Sequence, residues 1–312
     1  MAAIGPTSRS AMLRHCLLLL AALTFFPAHS ALSAFDGIRL TVLGTGSQHG
    51  SGEVSGPSVM VEAGDETLLF DCGRNTASRL RGAGVALHEL TAVFITSLDP
   101  EHTVGCAEVL RTRGATESGS PLPVWGPAGT KARAQGWIAD SVTGLPAQAH
   151  DIQENVIYRT EEVTVTAFVT DNPLQPQSFG YRVDRRGRAV ALSGGTRYSE
   201  DVVRYARNVQ VLVHEVALGN DEQIHDEHIR SILGSHASPE DAGKVFRTAG
   251  PYLAVYTHVQ LFGMSESDLV RRTRRYYRGP LELAWELMII EIQNEVQLRS
   301  APSDGRREGL VD

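Results

Sequence analysis

The chain has 312 residues, 42% of them hydrophobic, with 30 Gly and 14 Pro, a composition that can bury a large core and is unlike collagen, coiled-coil or disordered chains. Lys and Arg number 29 against 36 Asp and Glu, a formal charge of -7, so the overall field repels polyanions and disfavours nucleic acid as a partner. The three cysteines, Cys16, Cys72 and Cys106, lie at no CxxC spacing. That excludes a thiolate zinc ribbon and a disulfide-stapled miniprotein, so any metal must use histidine and carboxylate.

Residues 1–34 read as an export signal: Arg9 and Arg14 precede an apolar run from Leu17 to Phe26, and small residues follow from Ala28 to Ala34. The run is about ten residues, short of the roughly 20 that a membrane-spanning helix needs, so no permanent membrane anchor is expected. The mature protein is expected to be periplasmic or secreted. Spacing leaves open whether Cys72 and Cys106 pair.

Short β-rich runs come next, Ile38 to Leu43, Ser58 to Glu62 and Thr67 to Phe70, separated by glycine-rich turns. A helix follows Leu69-Phe70-Asp71-Cys72-Gly73, with Asn75 as its N-cap. Asp71 either orients a metal ligand or caps the turn. The pattern continues with a strand at Ala92 to Thr96, a helix from Glu101 to Arg111, a strand at Pro123 to Trp125 and a helix from Thr130 to Asp140. A second β set covers Val163 to Val169, Phe179 to Val183 and Ala189 to Leu192. Helices at Glu200 to Ala206, Pro239 to Thr248 and Ser267 to Tyr277 then alternate with strands at Val209 to His214 and Leu253 to Tyr256. Strands at Leu281 to Leu283 and Met288 to Ile292 close a domain spanning 35–299, and a polar tail runs from Ser300 to Asp312. Two β-then-βα halves predict an α/β fold of two packed sheets with helices outside.

Loops at strand ends are where a rigid sheet presents chemistry. Here they read Phe94-Ile95-Thr96-Ser97-Leu98-Asp99-Pro100-Glu101-His102, Leu192-Ser193-Gly194-Gly195-Thr196, Val213-His214-Glu215 and Tyr256-Thr257-His258. In collinear order, with Gly56-Pro57-Ser58 and Ser238-Pro239-Glu240-Asp241-Ala242-Gly243, they resemble the metallo-β-lactamase superfamily, in the branch of ribonuclease Z and the related arylsulfatases. The resemblance covers about residues 38 to 293. It implies a four-layer αββα sandwich with a metal site at one edge of its two sheets.

Family members carry THxHxDH where this chain has Ser97 and Asp99 in place of two histidines, Glu101 in place of the aspartate, and a matching His102. A further histidine slot holds Asn172, the bridging aspartate is Gly195, and His258 matches the last ligand. The first cation position therefore keeps no imidazole, and the resemblance implies that it is lost. The second keeps Glu101, His102 and His258, a set suited to one Zn²⁺ or Fe²⁺. At most one divalent metal, zinc first, is expected, or none. Asp99 is a further candidate ligand or an ordinary turn former before Pro100.

Glu101 and His236 are the candidate catalytic residues. His236 resembles the family's proton-donating histidine, with helix initiation as its structural alternative, and Arg197 is a candidate for binding an anionic substrate. His49 is a remote candidate to replace a lost imidazole. His225 and His228 fit a solvated acidic helix, and Arg271, Arg272, Arg274, Arg275 and Arg278 an exposed basic face. The first functional reading is an exported protein that has lost most dinuclear ligands and acts by binding. The alternative is a mononuclear metal-dependent hydrolase of a small anionic ester, a sulfate or phosphate. A transfer-RNA nuclease is disfavoured by the export signal and the net charge. Oligomeric state has no sequence signature here.

Overall fold

Period-two alternation of apolar side chains decides the layers of this molecule. A computed structural model describes residues 35–46, 54–114, 121–139, 147–300 and 309–310. Residues 1–34, read from the sequence as an export signal, His49 and most of the polar tail lie outside the described residues. The strands of the first half are β1 (Ile38–Gly44), β2 (Ser58–Ala63), β3 (Glu66–Phe70), β4 (Ala92–Phe94), β5 (Pro123–Gly126), β6 (Gln148–Asp151), β7 (Asn155–Arg159) and β8 (Val163–Val169). Those of the second half are β9 (Phe179–Arg185), β10 (Arg188–Leu192), β11 (Val211–Gly219), β12 (Leu253–Phe262), β13 (Leu281–Leu283), β14 (Met288–Ile292), β15 (Val296–Ser300) and β16 (Gly309–Leu310). Helices are α1 (Thr76–Gly82), α2 (Pro100–Thr103), α3 (Cys106–Gly114), α4 (Thr130–Ile138), α5 (Glu200–Tyr205), α6 (Glu227–Ser235), α7 (Pro239–Ala249) and α8 (Glu266–Thr273).

One sheet has the order β16-β15-β14-β1-β2-β3-β4-β5-β6 and the other β13-β12-β11-β10-β9-β8-β7. Ile38, Leu40 and Val42 of β1 meet Phe179, Tyr181 and Val183 of β9 and Val211 and Val213 of β11 in the core between the sheets. Alternate residues point outward. Leu212, Val216, Ala254 and Tyr256 pack with Val202, Phe246 and Leu269 from α5, α7 and α8. Met60, Leu69, Val93 and Val124 pack with Leu80 and Val109 from α1 and α3 and with the partly buried Trp137 and Ile138 from α4. The result is the expected four-layer αββα sandwich. At the end of the inner core the Tyr181 ring lies tilted against Phe70 and Phe94, with centroids 5.5 and 5.7 Å away. Its hydroxyl donates to the Ile95 carbonyl at 2.5 Å, tying the two sheets beside the chemistry-bearing loops. Among the described residues, no helix is long and apolar enough to cross a membrane.

Helix α7 shows how local signals fix a boundary. Ser238 accepts from the Asp241 N–H at 3.1 Å, Pro239 occupies the first turn, and Gly250 ends the helix at φ 64. Ser238→Ala is expected to cost about 1 kcal/mol, read as a lower urea midpoint; an unchanged midpoint would show that the cap is dispensable.

Several elements differ from expectation. The helix predicted from Glu101 to Arg111 is two helices, α2 and α3, separated at Val104 and Gly105. The break lets the Gly105 backbone pass Gly73: its N–H donates to the Cys72 carbonyl at 2.8 Å, and a Cβ on Gly105 would lie 2.3 Å from the Gly73 oxygen. Asn75 does precede α1, but at φ 69 and with no side-chain cap bond, so it serves as a left-handed turn residue. Strands β11 and β12 run on through polar residues to Gly219 and Phe262. His258 therefore lies inside a strand and not at its end. Cys72 and Cys106 are both buried free thiols. His225 ends a short turn before Asp226, which caps α6, and His228 lies in the first turn of that helix; both are exposed. The basic cluster is largely engaged, with Arg271 on Asp268 and Arg272 on Glu240.

Candidate metal centre

Asp71 follows β3 at φ 61, its own N–H held by the Phe94 carbonyl at 2.8 Å. A side chain in this left-handed conformation is locally costly and persists where surrounding contacts fix it. Here they do. The Thr96 N–H donates to Asp71 Oδ1, and the Thr96 hydroxyl and His102 Nδ1 both donate to Oδ2, each at 2.8 Å. With Nδ1 committed, His102 presents Nε2 to the pocket, which resolves the role of Asp71: it orients His102.

His258 is aimed by a bulge. In the parallel β11–β12 pair, His214 lies opposite Tyr256 and Val216 opposite Val259, so Glu215 faces both Thr257 and His258. The extra residue is His258 itself, at φ 47. Its Nδ1 donates to the Gly46 carbonyl at 3.1 Å, leaving Nε2 directed inward. His236, which ends α6, is anchored in the same way: Nδ1 donates to the Ile232 carbonyl at 2.9 Å. Its Nε2 lies 3.7 Å from Glu215 Oε2.

Three imidazoles thus turn their Nε2 atoms toward two carboxylates. Glu101 Oε1 lies 3.4 Å from His258 Nε2 and 3.8 Å from His102 Nε2. Donors bound to a tetrahedral zinc at about 2.0–2.1 Å are about 3.3 Å apart, so the longer glutamate reaches, and Glu101, His102 and His258 fit a divalent cation by distance and by donor chemistry. Burial alone would lower the His102 pKa, but the charge and hydrogen bond of Asp71, backed by Glu101 and Glu215, push it up to about 9. Burial likewise opposes the charged form of His258, and the hydrogen bond and charge of Glu101 raise it above its ordinary value. The pocket is a place where positive charge is welcome. His214 is the contrast: burial pushes it down to about 4, and it packs edge-on against Phe246 as a neutral structural ring.

The structure therefore brings together Glu101, His102, His258 and His236. Among the described residues Asp99 joins neither ligand group. It begins α2 before Pro100, its carbonyl receiving the His102 N–H and its N–H held by Ser97 Oγ at 3.1 Å, so the turn-forming role is the one it fills. Arg197, proposed for substrate, is half-exposed and donates through Nη2 to both carboxylate oxygens of Asp171, at 2.8 and 2.9 Å. Asn172 accepts from the Leu174 and Gln175 N–H groups and shapes a turn. Two pocket residues carry no assigned role from sequence, Glu215 and Gln260. Their signal was available: charged or amide side chains inside the otherwise apolar strands β11 and β12 have to be buried for a reason.

Comparison with known proteins places the fold. Residues 66–259 match the β-lactamase superfamily domain. A ribonuclease Z from Mycolicibacterium gilvum is 29% identical over 240 residues, covering 71% of this chain and 84% of that protein. Among solved structures, the metallo-β-lactamase fold protein YhfI from Bacillus subtilis aligns with a TM-score of 0.69 at 19% identity, over 82% of this chain and 100% of that one. The short form of human tRNase Z aligns with a TM-score of 0.66 at 21% identity, over 82% and 99%. The chain belongs to the β-lactamase superfamily, and ribonucleases Z are among its relatives.

Proposed function

We propose that this protein is an exported hydrolase that uses one divalent cation, zinc first, to cleave a small anionic ester such as a phosphate or sulfate. The observation that carries the reading is the convergence of His102 and His258 Nε2 on Glu101, each imidazole locked through Nδ1. A protein that only binds through this pocket gains little from burying carboxylates and imidazoles face to face, because an ion cluster taken out of water costs several kcal/mol unless it is well compensated. That favours the hydrolase over the purely binding reading.

A cation held by Glu101, His102 and His258 supplies Lewis-acid polarisation and a water acidified toward neutrality. The chain's own residues do the rest. Asp71 keeps a proton on His102 Nδ1, so that Nε2 stays available as a donor. His236, with Nδ1 occupied by Ile232, exchanges protons only at Nε2 and is the group placed to protonate a leaving oxygen. A groove beside the Ser97–Glu101 loop, lined by Leu98, Pro127, Ala128, Gln175, Pro176 and Gln177 among others, carries no charged side chain. It suits an uncharged leaving group better than a polyanion such as RNA, as does the net charge of -7.

Elemental analysis of dialysed protein is expected to give one equivalent of zinc, lost in His102→Ala, with cation-dependent release of p-nitrophenol from p-nitrophenyl phosphate or sulfate. Absence of bound metal after zinc supplementation would sink the reading in favour of a binding protein.

A further inference from the structure

Leu287, in the crossover between β13 and β14, stands at φ 64. A bulky side chain in the left-handed region is costly and persists where surrounding contacts fix it. Its N–H donates to the Val42 carbonyl in one sheet at 2.7 Å, and its side chain is buried in the cluster that holds Leu43 and Leu80. Three residues earlier, the Ala284 N–H donates to the Tyr256 carbonyl in the other sheet at 2.8 Å. The crossover is pinned at both ends, and Glu286 lies between the pins.

Both oxygens of Glu286 are engaged: Oε1 accepts from the Ser55 N–H and Oε2 from Arg79 Nη2. Arg79, in the last turn of α1, closes a triangle by donating from Nε to Ser55 Oγ at 2.8 Å. Ser55 is fully buried, and its carbonyl accepts from the Gly46 N–H at 2.8 Å. Glycine suits this close approach, since a Cβ on Gly46 would lie 3.0 Å from that same Ser55 oxygen and 3.1 Å from Val54 Cβ. The Gly46 carbonyl in turn receives His258 Nδ1–H. Hydrogen bonds thus run unbroken from Glu286 through Ser55 and Gly46 to the imidazole. The competing arrangement is close at hand, because Glu101 Oε1 lies 3.4 Å from His258 Nε2 and would welcome a proton there. Such a proton would block the lone pair that a cation needs.

We propose that Glu286, held out by the Leu287 turn, is the positioning residue of His258: through Ser55 and Gly46 it keeps the imidazole proton on Nδ1 and leaves Nε2 open to a cation. The effect on cation affinity rests on the one-cation reading above; the effect on the imidazole proton does not. Glu286→Gln has nearly the same shape but one acceptor oxygen where two are used. In either orientation of the amide, an N–H faces a donor, Ser55 or Arg79, and the triangle opens.

The test compares wild type with Glu286→Gln and with Glu240→Gln, and thermal melts check that each is folded. The control breaks the Arg272–Glu240 pair, which joins α7 to α8 and is as exposed, 32% and 19%, as Arg79 and Glu286 at 32% and 18%. In the metal-stripped full chain, two-bond ¹H–¹⁵N spectra are recorded where the ring is neutral. They are expected to show His258 as the Nδ1–H tautomer in wild type and Glu240→Gln, and as a mixture with the Nε2–H tautomer in Glu286→Gln. Arg79→Met opens the same triangle from its other corner and is expected to move His258 in the same direction, so a poorly folded Glu286→Gln does not shield the assignment. Calorimetric titration of Co²⁺ is expected to show affinity lowered about tenfold in Glu286→Gln, the low end for outer partners of a metal ligand because two backbone links intervene, and unchanged in Glu240→Gln. A His258 tautomer unmoved by Glu286→Gln and Arg79→Met, or moved as far by Glu240→Gln, would overturn the positioning role whatever cobalt does. So would equal cobalt affinity in wild type and Glu286→Gln. Absence of cobalt binding in wild type, with the tautomer shift present, would overturn the one-cation reading and uphold Glu286 as the residue that places the His258 proton.

Discussion

Asp71→Asn is expected to lower zinc or cobalt affinity roughly 10–100-fold and to cost about 2 kcal/mol of folding stability. The substitution keeps size and shape, so the effect isolates one proton. In the native arrangement Asp71 Oδ2 is acceptor to both the Thr96 hydroxyl and His102 Nδ1 at 2.8 Å. An asparagine can keep the Thr96 N–H contact at its oxygen only by turning its NH₂ toward His102. Facing a donor, His102 must accept at Nδ1, and its proton moves to Nε2, the atom that a cation needs. Calorimetric titration reads the affinity and urea denaturation the stability. Wild-type affinity in the variant would mean that His102 is oriented by its packing alone.

Gly73→Ala is expected to destabilise the fold by about 4 kcal/mol, near the top of the range for a single substitution. A Cβ on Gly73 would lie 2.4 Å from the Gly56 carbonyl carbon and 2.6 Å from the Pro57 nitrogen, both backbone atoms that cannot swing aside. The damage should reach the cation site, since the adjoining Cys72 N–H donates to the His102 carbonyl at 2.8 Å. Gly136→Ala in α4 is the control: a Cβ there meets nothing within 4 Å, and the change should stabilise by about 0.5–1 kcal/mol through helix propensity. Urea midpoints of the two variants are expected to move in opposite directions; a common direction would refute the steric argument at Gly73.

The layers were legible because alternation is a local property. Ile38, Leu40 and Val42 declare one face of β1 without reference to anything else in the chain, and β2, β3, β8, β9 and β10 do the same. The helical break at Gly105 was not legible, since it depends on the Gly73 backbone 32 residues earlier passing within contact distance. Glu101, His102 and His258 could be named from the order of short motifs along the chain, which is readable without knowing that the first two lie in α2 and the third inside β12. Glu215 could not. Its position opposite two residues of β12 is a matter of register between strands some 40 residues apart. Asp99 and Arg197 depend on their surroundings in the same way: the first stands in a turn before Pro100, and the second meets Asp171, a partner 26 residues away.

The bulge has an evolutionary corollary. On its inner side Val211 to His214 keep their pairing with Leu253 to Tyr256, and on its outer side Val216 to Gly219 keep theirs with Val259 to Phe262. The irregularity is confined to three residues and enclosed by intact ladder. Mutational drift at those three positions can exchange one donor atom for another while the surrounding hydrogen-bonded scaffold stays silent, so a lineage can change the inorganic chemistry of its pocket without ever passing through an unfolded ancestor.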